Sequence, residues 1–115
     1  MIEKGPGQCL GGEAARQGMG MLGPELNIKR TPLRGQNFEY FSEDPYLAGK
    51  MALGHVRCIQ KNGIFAHPKH FAASSQELRR MASDSVMGER MFQEICLTGF
   101  EFVVKEWHEV YGAGE

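Results

Sequence analysis

No stretch of this sequence stays apolar for the roughly 18 residues that a membrane-spanning helix needs, so a transmembrane role is not expected. Charge of one sign is also missing. The formal net charge is -1, which leaves no electrostatic ground for nucleic acid or an anionic membrane as partner. Cysteine is sparse and unpaired: Cys9, Cys58 and Cys96 stand far apart and form no Cys-x-x-Cys unit. That spacing argues against a zinc or iron–sulfur site and reads as free thiols. Met1 to Gly20 lacks a basic segment followed by an apolar one, so no secretory signal peptide is expected. Internal repeats and low-complexity segments are absent.

What is present is ordinary for a globular chain. Hydrophobic residues make up 42% and charged residues 23%, near the averages for folded domains. A length of 115 residues corresponds to one domain at most. Glycine is the exception, with 15 residues, well above the average of about 7%. Many of them fall before residue 21, so the N-terminal region is weakly specified.

The pattern of elements alternates. Gln8 to Gln17 reads as a short helix, weakened by Gly11 and Gly12. Gly18 to Asn27 reads as a strand, interrupted by Gly23-Pro24. A polar and aromatic loop follows over Ile28 to Asp44, longer than connections usually are. Asp44 has the chemistry of an N-cap, Pro45 suits the first helical position, and Asn62-Gly63 suits the end. Between them, Leu47, Met51, Val56 and Ile59 recur at roughly helical spacing. Gly63 to Phe71 reads as a second strand, Ala72 to Asp84 as a second long loop, and Val86 to Glu106 as a last helix. Met91, Ile95, Phe100, Val103 and Val104 supply its expected buried stripe. Strand, helix and strand in this order imply parallel strands with a right-handed crossover. Both long loops follow strands, as on the catalytic face of an α/β barrel.

Three stretches carry a family resemblance. The first is Gly23-Pro24-Glu25-Leu26-Asn27-Ile28-Lys29-Arg30-Thr31-Pro32-Leu33. The second is Gly35-Gln36-Asn37-Phe38-Glu39-Tyr40-Phe41-Ser42-Glu43-Asp44-Pro45-Tyr46-Leu47-Ala48-Gly49. The third is Lys69-His70-Phe71-Ala72, followed by Gln76-Glu77 and Arg79-Arg80-Met81. In order and spacing they resemble the N-terminal barrel domain of glycoside hydrolase family 3 β-glucosidases. The resemblance implies an α/β fold: a partial (β/α)8 TIM-like barrel of about two strand–helix units plus a preceding helix, with residues 1–115 forming a fragment of that domain. It further implies part of a retaining β-glucosidase that hydrolyses terminal non-reducing β-D-glucosyl residues. A non-catalytic sugar- or partner-binding remnant is the alternative. Glucose or a β-glucoside would be the ligand, no cofactor or metal is implied, and family tendency points to the cytoplasm. The remaining barrel and a C-terminal domain would be partners in an intact enzyme, and open strand edges invite self-association.

Retaining glycosidases use two carboxyl groups about 5 Å apart. In the family these come from a later barrel strand and a following domain, so no catalytic residue is assigned in this chain. The family uses the Lys and His of Lys-His-Phe to bind hydroxyls of the sugar, which by match are Lys69 and His70. An ammonium offers three donors, and an imidazole donates or accepts. On an ideal strand these two neighbours point to opposite faces, so both reach one ligand only where the backbone turns. The family's Gly-Arg-Asn-Phe-Glu reads Gly35-Gln36 here, which makes Gln36 a third substrate-binding candidate. Glutamine lacks the guanidinium charge and fork, and Arg34 substitutes for it only if the loop rearranges. Ser74 and Ser75 stand where asparagines are usual. Gly88, Met91 and Gln93 replace polar and charged residues, which weakens the start of the last helix.

The other polar residues have simpler readings. Asp44 caps a helix, while Glu39 and Glu43 pair with loop backbone or with Arg30 and Arg34. Glu77 and Asp84 are loop carboxylates. His67 and His70 are unsuited to a shared metal, since at this spacing on a strand they face apart. His55 and His108 are surface or packing residues. Phe38, Tyr40 and Phe41 either stack on a sugar ring or pack the loop.

Overall fold

The computed structural model describes residues 4–111. Helix α1 spans Lys4–Arg16, α2 spans Pro45–Gln60, a short α3 spans Glu89–Met91, and α4 spans Thr98–Tyr111. A π-helical turn, Phe92–Cys96, lies between α3 and α4. A 3-10 turn, Asn37–Glu39, sits in the first long loop. No helix among the described residues is long and apolar enough to cross a membrane.

The sequence signals for α2 are used as expected. The Leu47 amide donates to Asp44 Oδ1 at 2.7 Å, Pro45 occupies the first turn, and Gly63 takes a left-handed φ of 74° just beyond the end. The buried face differs from the expected stripe. Ala48, Ala52, Leu53, Val56 and Ile59 are buried, whereas Leu47 is exposed and Met51 half-buried. The reason is that α2 packs against α1 on one side and α4 on the other, so it buries a wide face built partly from small residues.

Glycine does structural work here. A Cβ on Gly7 would approach the His55 carbonyl to 3.0 Å, and one on Gly11 would meet Ile59 Cα at 2.9 Å. With Ala14, also buried, these glycines form a flat face at i, i+4 and i+7 that lets the α1 and α2 backbones approach closely. Gly12, next to Gly11, has only a 3.7 Å neighbour. The composition signal that weakened the expected helix is therefore largely a packing device.

The last helix starts later than Val86. Gly88 sits at its N-terminus without a side-chain cap, and α3 gives way at once to the π turn. Phe100 and Val103 are buried, Met91 and Ile95 are partly buried, and Val104 is exposed. Glu106 ties α4 back to α2 by pairing with Arg57 at 2.6 Å and Lys50 at 3.3 Å. The main apolar cluster joins Leu26, Ala52, Val56, Ile59, Ala66 and Phe100, with Val103.

The two expected strands are present only as extended segments joined by isolated parallel bridges, Met21 to Ala66 and Glu25 to Lys69. Around the first bridge, the Met21 amide donates to Phe65 O and the His67 amide to Met21 O. Around the second, the Lys69 amide donates to Pro24 O and the Leu26 amide to Lys69 O. Leu22, Gly23 and Pro24 lie between the bridges on one segment, but only His67 and Pro68 on the other. That one-residue slip, with two prolines that have no N–H to donate, prevents a continuous ladder. A third parallel bridge joins Glu25 to Tyr40, so Glu25 sits between two extended neighbours.

Candidate functional site

Polar and apolar residues alternate from Glu25 to Ile28. Leu26 packs into the core against the helices and Ile28 is also buried, while Glu25 and Asn27, the alternate residues, are buried polar groups. This period of two is the signature of an extended chain with two different surroundings. The face carrying Glu25 holds the site.

Lys69 and His70 converge there. The chain turns at this point, where the Lys69–His70 and Phe71–Ala72 peptides are cis. Lys69 Nζ lies 3.0 Å from Glu25 Oε1, and His70 Nε2 lies 2.9 Å from the same oxygen. Lys69 also pairs with Glu39 at 3.4 Å. Asn27 clamps the His70 backbone from both sides: its Nδ2 donates to His70 O at 2.8 Å, and the His70 amide donates to its Oδ1 at 2.7 Å. The Glu25 side chain is 1% exposed, while those of Lys69 and His70 are 28% and 41% exposed. The buried carboxylate is thus covered by two side chains that solvent can still reach.

The charges set one another. Burial works against ionisation of Glu25, but the Tyr40 hydroxyl, Lys69 and Glu39 together outweigh it and hold its pKa below the usual value. Burial raises the pKa of Glu39, and the neighbouring Glu25 carboxylate raises it further. Lys69 is also penalised by burial, yet Glu25 and Glu39 prevail and raise its pKa. Burial, then Glu25, pushes the Tyr40 phenol far above its normal range. Glu25 Oε2 and the Tyr40 hydroxyl are both buried, and neither has a hydrogen-bond partner of regular geometry among the described residues; their proximity registers in these shifts instead. A low-pKa carboxylate beside a raised one is the expected outcome when two acids share a cation.

Glu25 and Asn27 belong to the first family-like stretch but were not among the substrate-binding candidates. The polar–apolar alternation over Glu25 to Ile28 was the available signal. Glu39 was expected to pair with loop backbone or with Arg30 and Arg34; instead its carboxylate faces Lys69, because the Asn37–Glu39 turn brings it toward Glu25. Arg34 is buried, stacks over the Tyr40 ring at 4.1 Å, and donates to Ser74 O in the second long loop. It braces the two loops together and does not replace the missing arginine at Gln36. Gln36 stands apart from the cluster, exposed and in the left-handed conformation with φ 53°.

The remaining candidates separate. His67 Nδ1 lies 3.2 Å from Met21 O, so the two histidines of His-x-x-His serve different partners. No group of three or more His, Cys, Asp or Glu residues suited to a metal occurs among the described residues. His55 is buried and packs near Phe41, with ring centroids 6.0 Å apart; the His108 side chain lies outside the described residues. Phe38 is exposed and Tyr40 buried, while Phe41 packs against the core. Cys9, Cys58 and Cys96 are free thiols. Glu77 pairs with Arg80 at 3.2 Å. Asp84 lines a cavity of about 420 Å³ together with Arg30, Ser74 and Arg80. Glu25, Lys69 and His70 do not line that cavity.

Comparison with known proteins gives one consistent picture. The sequence profile of the Glycosyl hydrolase family 3 N terminal domain matches residues 4–110. The chain is 48% identical over 101 residues to thermostable beta-glucosidase B of Acetivibrio thermocellus, covering 87% of this chain and 13% of that protein. It is 49% identical over 86 residues to an exo-alpha-(1->6)-L-arabinopyranosidase of Bifidobacterium longum, covering 75% of this chain and 11% of that protein. The structure of beta-glucosidase 3B from Thermotoga neapolitana in complex with glucose superposes with a TM-score of 0.86 at 45% identity, covering 90% of this chain and 15% of that one. The chain therefore spans about one-eighth of the length of these relatives, and its fold matches a piece of their N-terminal barrel domain.

Proposed function

This chain belongs to glycosyl hydrolase family 3, and we propose that it forms one side of the sugar-binding subsite of a retaining β-glucosidase acting on terminal non-reducing β-D-glucosyl residues. The observation that carries this reading is the convergence of Lys69 and His70 on Glu25 Oε1. Neighbours on a regular strand would diverge; here both polar heads meet at one partly open place. Ammonium and imidazole together offer the donors and acceptor that sugar hydroxyls require.

A glucose complex of a relative at 45% identity supports glucose as ligand, and the arabinopyranosidase relative marks a second pyranoside within reach of the same scaffold. Gln36, exposed on the loop that also carries Glu39 and Tyr40, is the third substrate-binding candidate in this reading. Hydrolysis itself requires two carboxyl groups about 5 Å apart, flanking the bond. Glu25 and Glu39 are engaged with Lys69, and we assign neither to that chemistry. The exposed Leu22 and Phe65 on the two extended segments are the surfaces that would meet the remaining barrel.

Amide NMR of the chain with and without millimolar glucose tests the reading. The expected result is a set of glucose-dependent shifts at Lys69, His70 and their neighbours that disappears in Lys69→Ala. Shifts that persist unchanged in Lys69→Ala, or a folded chain indifferent to glucose, would overturn it.

A further inference from the structure

We propose that Glu25 is a positioning residue that fixes His70 as its Nε2–H tautomer, so that Lys69 and His70 present one donor and one acceptor to adjacent hydroxyls of a sugar. The inference rests on the reading that these two residues bind the sugar.

For the neutral ring, the geometry leaves His70 one arrangement. Its Nε2 lies 2.9 Å from Glu25 Oε1, and Lys69 Nζ lies 3.0 Å from the same atom. An ionised carboxylate accepts and cannot donate, so the proton in the His70 contact belongs to Nε2. A neutral imidazole carries a proton on one nitrogen only. Nδ1 is then a bare acceptor. Asn27 fixes the backbone that carries the ring, holding the His70 amide and carbonyl at 2.7 and 2.8 Å, so the ring starts from one place beside Glu25.

Lys69 complements this. Glu25 and Glu39 take two of its ammonium directions, at 3.0 and 3.4 Å, which leaves the third N–H as a donor. Glu25 is 1% exposed, beneath two more accessible side chains. It therefore shapes the donor–acceptor pattern without taking a sugar contact of its own. A sugar hydroxyl both donates and accepts, so two neighbouring hydroxyls satisfy the pair. Fluorine, which only accepts, meets Lys69 but leaves His70 Nδ1 unpaired. The specificity reaches beyond shape to the direction of each hydrogen bond.

Ring-nitrogen NMR on chain labelled with 15N-histidine, in mildly alkaline solution, reads the tautomer directly. The wild-type chain is expected to show Nε2–H at His70. Glu25→Ala is expected to give a tautomer mixture and about tenfold weaker glucose binding, on the scale of one lost hydrogen bond. Glu25→Gln keeps a carbonyl acceptor in the same place and is expected to keep the tautomer. Nδ1–H at His70 in the wild-type chain would overturn the proposal without recourse to any variant, as would an unchanged tautomer in a folded Glu25→Ala. The correct tautomer in a wild-type chain that ignores glucose would support the positioning by Glu25 and remove the sugar reading instead.

Discussion

The helical side of the molecule and the side built from extended segments are held together by opposite means. Between α1, α2 and α4, contact in the interior is made by shape: glycines and alanines let backbones approach, Val56, Ile59 and Phe100 fill the space, and the Glu106 ion pairs stay at the more exposed margin. Around Glu25, contact is made by charge: one oxygen of a buried carboxylate is shared by a lysine and a histidine, and Tyr40 and Glu39 adjust the balance. The first kind of packing responds to volume and is nearly indifferent to pH. The second responds to protonation and is tolerant only where every partner remains. A polar cluster beside an apolar core is what a binding surface mounted on a scaffold requires.

The largest expected effect lies on the helical side. Ile59 is fully buried in the central cluster. Ile59→Ala should cost about 2–5 kcal/mol, the range for such cavities, read as a drop in the denaturation midpoint of the chain. A cost below about 1 kcal/mol would mean that the cluster collapses around the hole, and that shape governs this side less than its contacts suggest.

A finer test uses two adjacent glycines. Gly11→Ala drives a methyl toward Ile59 Cα at 2.9 Å, and overpacking against backbone costs about 1–3 kcal/mol. Gly12→Ala has room and should stabilise by up to about 1 kcal/mol through helix propensity alone. Opposite signs from neighbouring positions in thermal unfolding would separate packing from propensity; equal signs would break the distinction.

The smallest effects belong to the charged side, where partial exposure screens them. The raised Lys69 pKa stabilises the fold fully below the unfolded value near 10.5, and that contribution is lost as pH rises through the folded value. The lowered Glu25 pKa acts at the other end: its contribution is present above about 4.5 and is lost as pH falls through the folded value. Glu39, with a raised pKa, has its charged form disfavoured by the fold above about 4.5. An amide NMR titration should therefore move Glu25, Lys69 and His70 at both extremes while Ala52 and Val56 stay still. Glu39→Gln should raise stability slightly at neutral pH, and a clear loss would show that the ion pair with Lys69 outweighs burial.

Legibility followed the same division. Local chemistry was readable: the Asp44 cap, the Pro45 start and the Gly63 stop are decided within a few residues of chain, and α2 runs between them. Lys69 and His70 were singled out because the stretch that carries them resembles a known barrel domain, and the structure brings the two together at Glu25. The strands were not, since a ladder depends on register between distant segments, and a slip of one residue with Pro24 and Pro68 reduced it to isolated bridges. The buried face of α2 was only half found, with Val56 and Ile59 buried as expected and Leu47 exposed, for a similar reason. Periodicity finds one apolar stripe, whereas α2 has neighbours on two sides.

The family and the limits of α2, set by a cap and a turn, were already written in the sequence. These are properties of short stretches, encoded where they act. Only the tertiary structure decided that Gly7 and Gly11 are contact surfaces, that Arg34 braces two loops, and that Glu25 gathers Lys69 and His70 around one oxygen. Each of those depends on a partner about 40 or more residues away, at a distance fixed by packing. A carboxylate's role is set by what surrounds it once water has been removed.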